Sequence, residues 1–213
     1  MKITLDGKDV ADTKYAREKI LLDTNLLVFA HNRGSQHYQK ASCILVASLE
    51  DALNAYVSSQ NLLEFYSVMT NPSKIKPTPS PRDILGICSD LLFSRKIRKI
   101  FPHEDAAKEA IEIAGKKTIR GPQIFDCLLA VTARHNHIDR IWTDNVSDLR
   151  HFEEFVPVEN PLAMEWELVA EKQENSDPDS SSDGAKVAKS TAGWSKWISS
   201  DYARRKLGLP MGH

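Results

Sequence analysis

The sequence predicts an α/β sandwich built on a mostly parallel sheet. Two observations carry that expectation. Short apolar runs such as KILL, NAYVSS and RIW have the length of strands buried on both faces. Between them lie longer stretches whose apolar residues recur at helical spacing, so strands and helices alternate along the chain. With 213 residues and 41% hydrophobic content, the chain can bury one sizeable core and carry additional segments.

The elements follow in order. Asp6-Gly7 sits between short apolar–polar alternations and predicts a small hairpin within a short N-terminal extension, residues 1–19. KILL then forms a strand ending at Asp23, and a helix begins at once in NLLVFA. HYQKASCILVASLEDAL reads as a helix and NAYVSS as the second strand. Ser58 or Ser59 can N-cap the helix QNLLEFYSVMTN, which stops before Pro72. PSKIKPTPSPRD is a loop, DILGICSDLLFSR a helix and KIRKIFP a short strand. EDAAKEAIEIAGKK is amphipathic, with acids in its first turn and lysines in its last. Gly121-Pro122 opens a helix carrying Asp126 and running to about His137, and DRIWTDN and EFVPVENP supply the last strands.

The main domain is therefore expected to span residues 20–165. Residues 166–190 are acidic, Ser-rich and poor in apolar side chains, the composition of a flexible linker. Residues 191–213 regain apolar side chains: Trp194, Trp197, Ile198, Tyr202 and Leu209 can share one helical face, with Arg204, Arg205 and Lys206 near its end.

A formal net charge of -1 argues against broad coating of nucleic acid but leaves room for local patches. SRKIRK (94–99) and GKKTIRG (115–121) are two candidates for phosphate contact, with an ordinary solvated face as the alternative. Cys43, Cys88 and Cys127 are odd in number and widely spaced, as reduced core thiols are. The polar N-terminus lacks a signal-peptide core and no apolar run approaches membrane-spanning length, so a cytoplasmic protein without membrane association is expected.

Four acids are embedded in apolar sequence at element ends: Asp23 after KILL, Glu64 in NLLEFY, Asp126 in IFDCLL and Asp144 after RIWT. Each alone has an ordinary explanation. Asp23 can cap the next helix, Glu64 can pair with a lysine, Asp126 can complement a helix N-terminus and Asp144 can serve a turn. Together they suit one site, because ligands of parallel sheets sit beyond the strand carboxyl ends. Converging carboxylates need cations to stay ionised. An all-oxygen set suits Mg²⁺ or Mn²⁺ and metal-assisted phosphodiester hydrolysis.

ILLDTNLLV, SSQNLLEFYSVM, PQIFDCLLAVTARHNHIDRIWTDNVSDLRHF and VPVENP resemble the successive motifs of PIN domains, with VapC-type toxin ribonucleases the most similar subgroup, over about residues 20–162. The resemblance implies a Rossmann-like three-layer α/β/α sandwich and an Mg²⁺- or Mn²⁺-dependent endoribonuclease acting on RNA. By position, Asp23, Glu64 and Asp126 match the family's metal-binding acids. Asp144 is preferred as the fourth, with Asp148 the alternative, and Thr24, Asn25 and Thr143 fit as small polar groups that orient waters or the acids. It further implies a homodimer and a cognate antitoxin protein. An RNA-processing nuclease without antitoxin, and a non-catalytic RNA-binding scaffold, are the competing expectations.

Overall fold

The computed structural model describes residues 2–169; nearly all of the expected linker and the whole Trp/Arg-bearing tail lie outside the described residues. The chain begins with a hairpin, β1 (Lys2–Leu5) and β2 (Lys8–Asp9), turned at Asp6 and Gly7, both with positive φ. Strand β3 (Lys19–Leu22) leads into α1 (Thr24–His31), followed by α2 (Tyr38–Leu49) and β4 (Asn54–Ser58). Helices α3 (Ser59–Met69) and α4 (Pro81–Phe93) precede β5 (Arg98–Ile100). Then come α5 (Ala106–Lys117), α6 (Gln123–His135), β6 (Arg140–Trp142), the one-turn α7 (Val146–Leu149), β7 (Val158–Glu159) and β8 (Trp166–Val169).

The main sheet has five strands in the order β5-β4-β3-β6-β7, and every pairing is parallel. The chain enters at the centre with β3, builds outward through β4 and β5, then returns to the other side for β6 and β7. That reversal opens a crevice beyond the carboxyl ends of β3 and β6, where such sheets place ligands.

Strand alternation divides the core into two layers. Ile20 and Leu22 join one buried cluster with Leu26, Leu27, Ile44 and Phe65, whereas Leu21 joins the other with Ala110, Ala130 and Ile141. Helices α1–α4 thus cover one face and α5–α6 the other, the three-layer α/β/α arrangement that the motifs imply. All three cysteines are buried and free. Among the described residues no helix is long and apolar enough to cross a membrane.

Local chemistry explains where the helices start. Ser58 caps α3 in a reciprocal box with Asn61, and Ser80 caps α4 in the same way with Asp83, with Pro81 at the first helical position. Helix α6 stops at His135, two residues before the expected end, and His137 takes a left-handed φ of 54°.

Both expected boundaries of the main domain are crossed by tertiary contacts. β1 pairs antiparallel with β8, Ile3 opposite Leu168, so a second sheet of order β2-β1-β8 joins the two ends of the described chain. Ile3, Leu5 and Val10 are buried in the same cluster as Ile20 and Leu22. Trp166, within the segment expected as linker, packs edge-on against Trp142 at 5.8 Å and donates its indole N–H to the Pro161 carbonyl at 2.8 Å. A four-residue strand whose only partner lies over 160 residues away leaves no local signature. The hairpin is therefore core rather than appendage. Leu5→Ala is expected to cost about 2–5 kcal/mol in denaturant unfolding. A loss below about 0.5 kcal/mol, the range of ordinary surface substitutions, would return the hairpin to an appendage.

Candidate active site

At the crevice lies a cavity of about 330 Å³ whose walls include Asp23, Glu64, Asp126 and Asp148. Asp23 ends β3 and caps α1, its Oδ1 accepting from the Thr24 N–H at 2.7 Å. Its backbone N–H donates to the Trp142 carbonyl at 2.9 Å, which ties the ends of β3 and β6 together. Glu64 lies a turn and a half into α3. Its carboxylate accepts from the Thr24 hydroxyl at 2.8 Å and from Gln60 Nε2 at 2.9 Å. The same Gln60 nitrogen donates to the Phe125 carbonyl at 3.0 Å, linking α3 to the first turn of α6.

Asp23 is the most heavily held. The Thr143 hydroxyl donates to its Oδ2 at 2.7 Å, and Asn61 Nδ2 donates to its Oδ1 at 3.2 Å. The direction of the Thr143 bond follows from its neighbours. Asn25 Nδ2 donates to the Thr143 oxygen at 2.8 Å and the Asn145 N–H donates to it at 3.0 Å. With its acceptor sites taken, the hydroxyl has its single proton left for Asp23. Asn25 is itself oriented, because its Oδ1 accepts from the Asp144 N–H at 3.3 Å.

Burial raises the Asp23 carboxyl above the ordinary range, opposed by the Thr143 and Thr24 bonds and reinforced by the charges of Glu64 and Asp148. Among the described residues none donates a hydrogen bond to Asp126. Burial, followed by the charges of Asp148, Asp23 and Glu64, pushes its carboxyl up to about 6. Asp23 and Asp126 thus both feel the charges of Glu64 and Asp148.

Asp148 faces this cavity from α7, and Asp144 does not line it. The Asp144 carboxylate instead accepts from Asn160 Nδ2 at 3.2 Å. Of the two acids in this turn, Asp148 is the one on the cavity wall. Thr24 and Asn25 line the cavity, and Thr143 lies behind Asp23. Two further residues escaped the sequence reading, Gln60 and Asn61. Asn61 stands three residues after the Ser58 cap, at the capping-box position, and Gln60 stands one helical turn before Glu64. Those offsets are the only local signals they leave.

The basic patches separate. SRKIRK leads into β5, and three of its four cations are engaged within the fold: Lys96 pairs with Asp51, Arg98 donates to Asn54, and Lys99 donates to the Ser94 and Ile97 carbonyls, while Arg95 is exposed. GKKTIRG runs from the last turn of α5 through a mostly exposed approach to α6.

Among the described residues no three His, Cys, Asp or Glu side chains stand close enough to grip one ion directly. The wall is nonetheless all-oxygen in its charged donors, and Asp126 is a part-buried carboxylate with like charges around it and no donor among the described residues. That set fits a cation that retains much of its water and takes one or two direct carboxylates, as Mg²⁺ and Mn²⁺ do.

Residues 20–154 match the PIN domain family. Ribonuclease VapC24 of Mycobacterium tuberculosis is 26% identical over 132 residues, spanning 62% of this chain and 89% of that protein. Among solved structures, the sarcin–ricin loop cleaving toxin VapC20 of the same organism superposes with a TM-score of 0.49 at 16% identity, over 66% of this chain and 98% of that one. VapBC2 of Rickettsia felis, bound to a promoter DNA fragment, gives 0.46 at 19% identity, over 67% and 98%.

An aspartate whose folded pKa exceeds its unfolded value binds more protons when folded, so stability falls as pH rises between the two. For Asp126 that window runs from roughly pH 4, the unfolded value, to about 6. In chelator-treated protein, Tm is expected to fall across this window, and Asp126→Asn to make the slope shallower. An unchanged slope in thermal scans of the variant would show that Asp126 is not the strained carboxylate.

Proposed function

Since this chain belongs to the PIN domain family, we propose that it is a metal-dependent endoribonuclease that hydrolyses RNA phosphodiester bonds. The observation that carries the proposal is one cavity, at the carboxyl edge of a parallel sheet, walled by Asp23, Glu64, Asp126 and Asp148. The ribonuclease relative VapC24 supports the substrate class. Asp23, Glu64, Asp126 and Asp148 are the residues that hold Mg²⁺ or Mn²⁺, with Asp148 rather than Asp144 as the fourth acid. When bound, the ion supplies Lewis-acid activation of water and neutralises charge at the phosphodiester.

The chain's own groups do the positioning. Thr143 and Asn61 each fix one oxygen of Asp23, and Asn25 fixes the Thr143 hydroxyl. Thr24 and Gln60 position Glu64, each taking one carboxylate oxygen. Such supporting bonds typically alter metal affinity or activity by about 10–100-fold when removed.

By the same resemblance the protein acts as a toxin, working as a homodimer and restrained by an antitoxin protein. A second reading has one observation in its favour: the β1-β2-β8 sheet lies outside the matched residues 20–154, an elaboration that suits an RNA-processing nuclease with no antitoxin. Uncontrolled expression separates them, since growth arrest relieved by Asp126→Asn supports the toxin and normal growth supports the processing enzyme.

Cleavage of total tRNA and rRNA with Mn²⁺ tests the chemistry. Asp126→Asn and Asp148→Asn are each expected to lose about 10²-fold or more of the rate, the scale on which one positioned acid contributes. Asp144→Asn is expected to stay within a few-fold of wild type. Equal cleavage by wild type and Asp126→Asn would sink the assignment, and a larger loss for Asp144→Asn than for Asp148→Asn would restore Asp144 as the fourth acid.

A further inference from the structure

Phe125 is 55% exposed, in the first turn of α6, immediately before Asp126 on the cavity wall. Large exposed apolar rings at such a position cost free energy that a polar residue would avoid. Its backbone is nevertheless firmly placed. The Phe125 N–H donates to the Pro122 carbonyl at 2.9 Å, and its own carbonyl accepts from Gln60 at 3.0 Å. Gln60 at the same time holds Glu64, so one amide sets both an acid of the cavity and the ring beside it. Leu63, 74% exposed, follows Gln60 by one turn on α3 and extends the apolar surface next to that clamp.

The approach to this ring is cationic. Lys116, in the last turn of α5, and Arg120, between α5 and α6, are both exposed, and no hydrogen bond or ion pair among the described residues engages either. Their neighbour Lys117 is paired with Glu154 at 3.0 Å. Gly121, at a φ of 57°, then turns the chain into α6. Along one short stretch the surface therefore presents free cations, an exposed aromatic ring and a carboxylate of the cavity, in that order. Cations that track phosphates beside an aromatic face are the physical requirements for holding a single nucleic-acid strand.

Resting on the ribonuclease reading above, we propose that Phe125 is a stacking platform for one unpaired base of the RNA, with Lys116 and Arg120 contacting the neighbouring phosphates. The Gln60 nitrogen that meets the Phe125 carbonyl also meets the Glu64 carboxylate, so a base stacked on Phe125 has its neighbouring phosphodiester beside the carboxylate wall. Phe125 is then a residue that chooses the substrate, favouring a position where the base is free to leave its helix. A duplex keeps its base faces covered and offers the ring nothing to stack on.

The test is binding of an RNA oligonucleotide carrying a 2-aminopurine base to the full chain in an Asp126→Asn background, where nothing is cut. Stacking quenches the probe, and Phe125→Ala is expected to lose the quenching and weaken binding by about 5- to 150-fold, the range for one base–aromatic stack. Tyr or Trp at position 125 restores both, whereas Leu, which replaces area without a π face, does not. An abasic site in place of the probe base removes the difference between Phe and Ala. Equal quenching and affinity for Phe125 and Phe125→Ala would overturn the proposal and assign the ring to a protein contact. Cleavage separates this from the ribonuclease reading. Undiminished cleavage by Phe125→Ala with wild-type KM overturns the stacking role alone. Phe125-dependent quenching in a wild-type chain that cuts no RNA overturns the nuclease reading and leaves the stacking role standing.

Discussion

Carboxylates that share a small cavity repel one another, and the organisation of this protein's crevice follows from how that repulsion is opposed. Asp23 receives three donors: the Thr24 N–H, the Thr143 hydroxyl and the Asn61 amide. Each comes from a different part of the chain, so stabilising one charge also locks the ends of β3, β4 and β6 in register. Asn61 shows the economy most plainly, because the side chain that caps α3 through Ser58 turns its other end to Asp23. Asp126 stands at the opposite extreme, part-buried among like charges with no donor among the described residues. Its carboxyl is raised to about 6 as a result.

The parallel sheet makes this concentration available. Parallel pairing brings all the strand carboxyl ends to one edge, and the helices that follow begin there. The first turns of α1, α3 and α6 accordingly lie at the edge that carries the acids, and a helix N-terminus carries partial positive charge. Asp23 uses that position directly as the cap of α1. The second sheet, β2-β1-β8, contributes no carboxylate to the cavity wall; it closes the core by joining the two ends of the described chain. Stability and chemistry are thus supplied by different edges of the molecule. Lys96 and Arg98 near β5 are engaged locally, whereas Lys116 and Arg120 before α6 face outward.

Much of this was legible in the residues. Continuous apolar runs named β3, β4 and β6, Ser58 announced α3, and three of the four acids on the wall were marked as charges in apolar surroundings. These features are local: a strand's period, a helix's cap and the cost of burying a charge are all settled within a few residues of chain. What stayed hidden depends on distant partners. β8 has no identity without β1, and Gln60 and Asn61 gain meaning only when Asp23 and Phe125 come within hydrogen-bond reach.

The two acids of the TDNVSD segment show the same division within six residues. Both are polar, both follow a buried strand, and local sequence offers no means of choosing between them. Asn160, arriving just after β7, takes the Asp144 carboxylate, and the one-turn α7 swings Asp148 to the cavity. The sequence by itself determined that acids would gather at the carboxyl edge of a parallel sheet, because strand period and charge burial are written locally. Which acids face one another was decided by the tertiary structure, because hydrogen-bond competition is settled only among side chains that folding brings together.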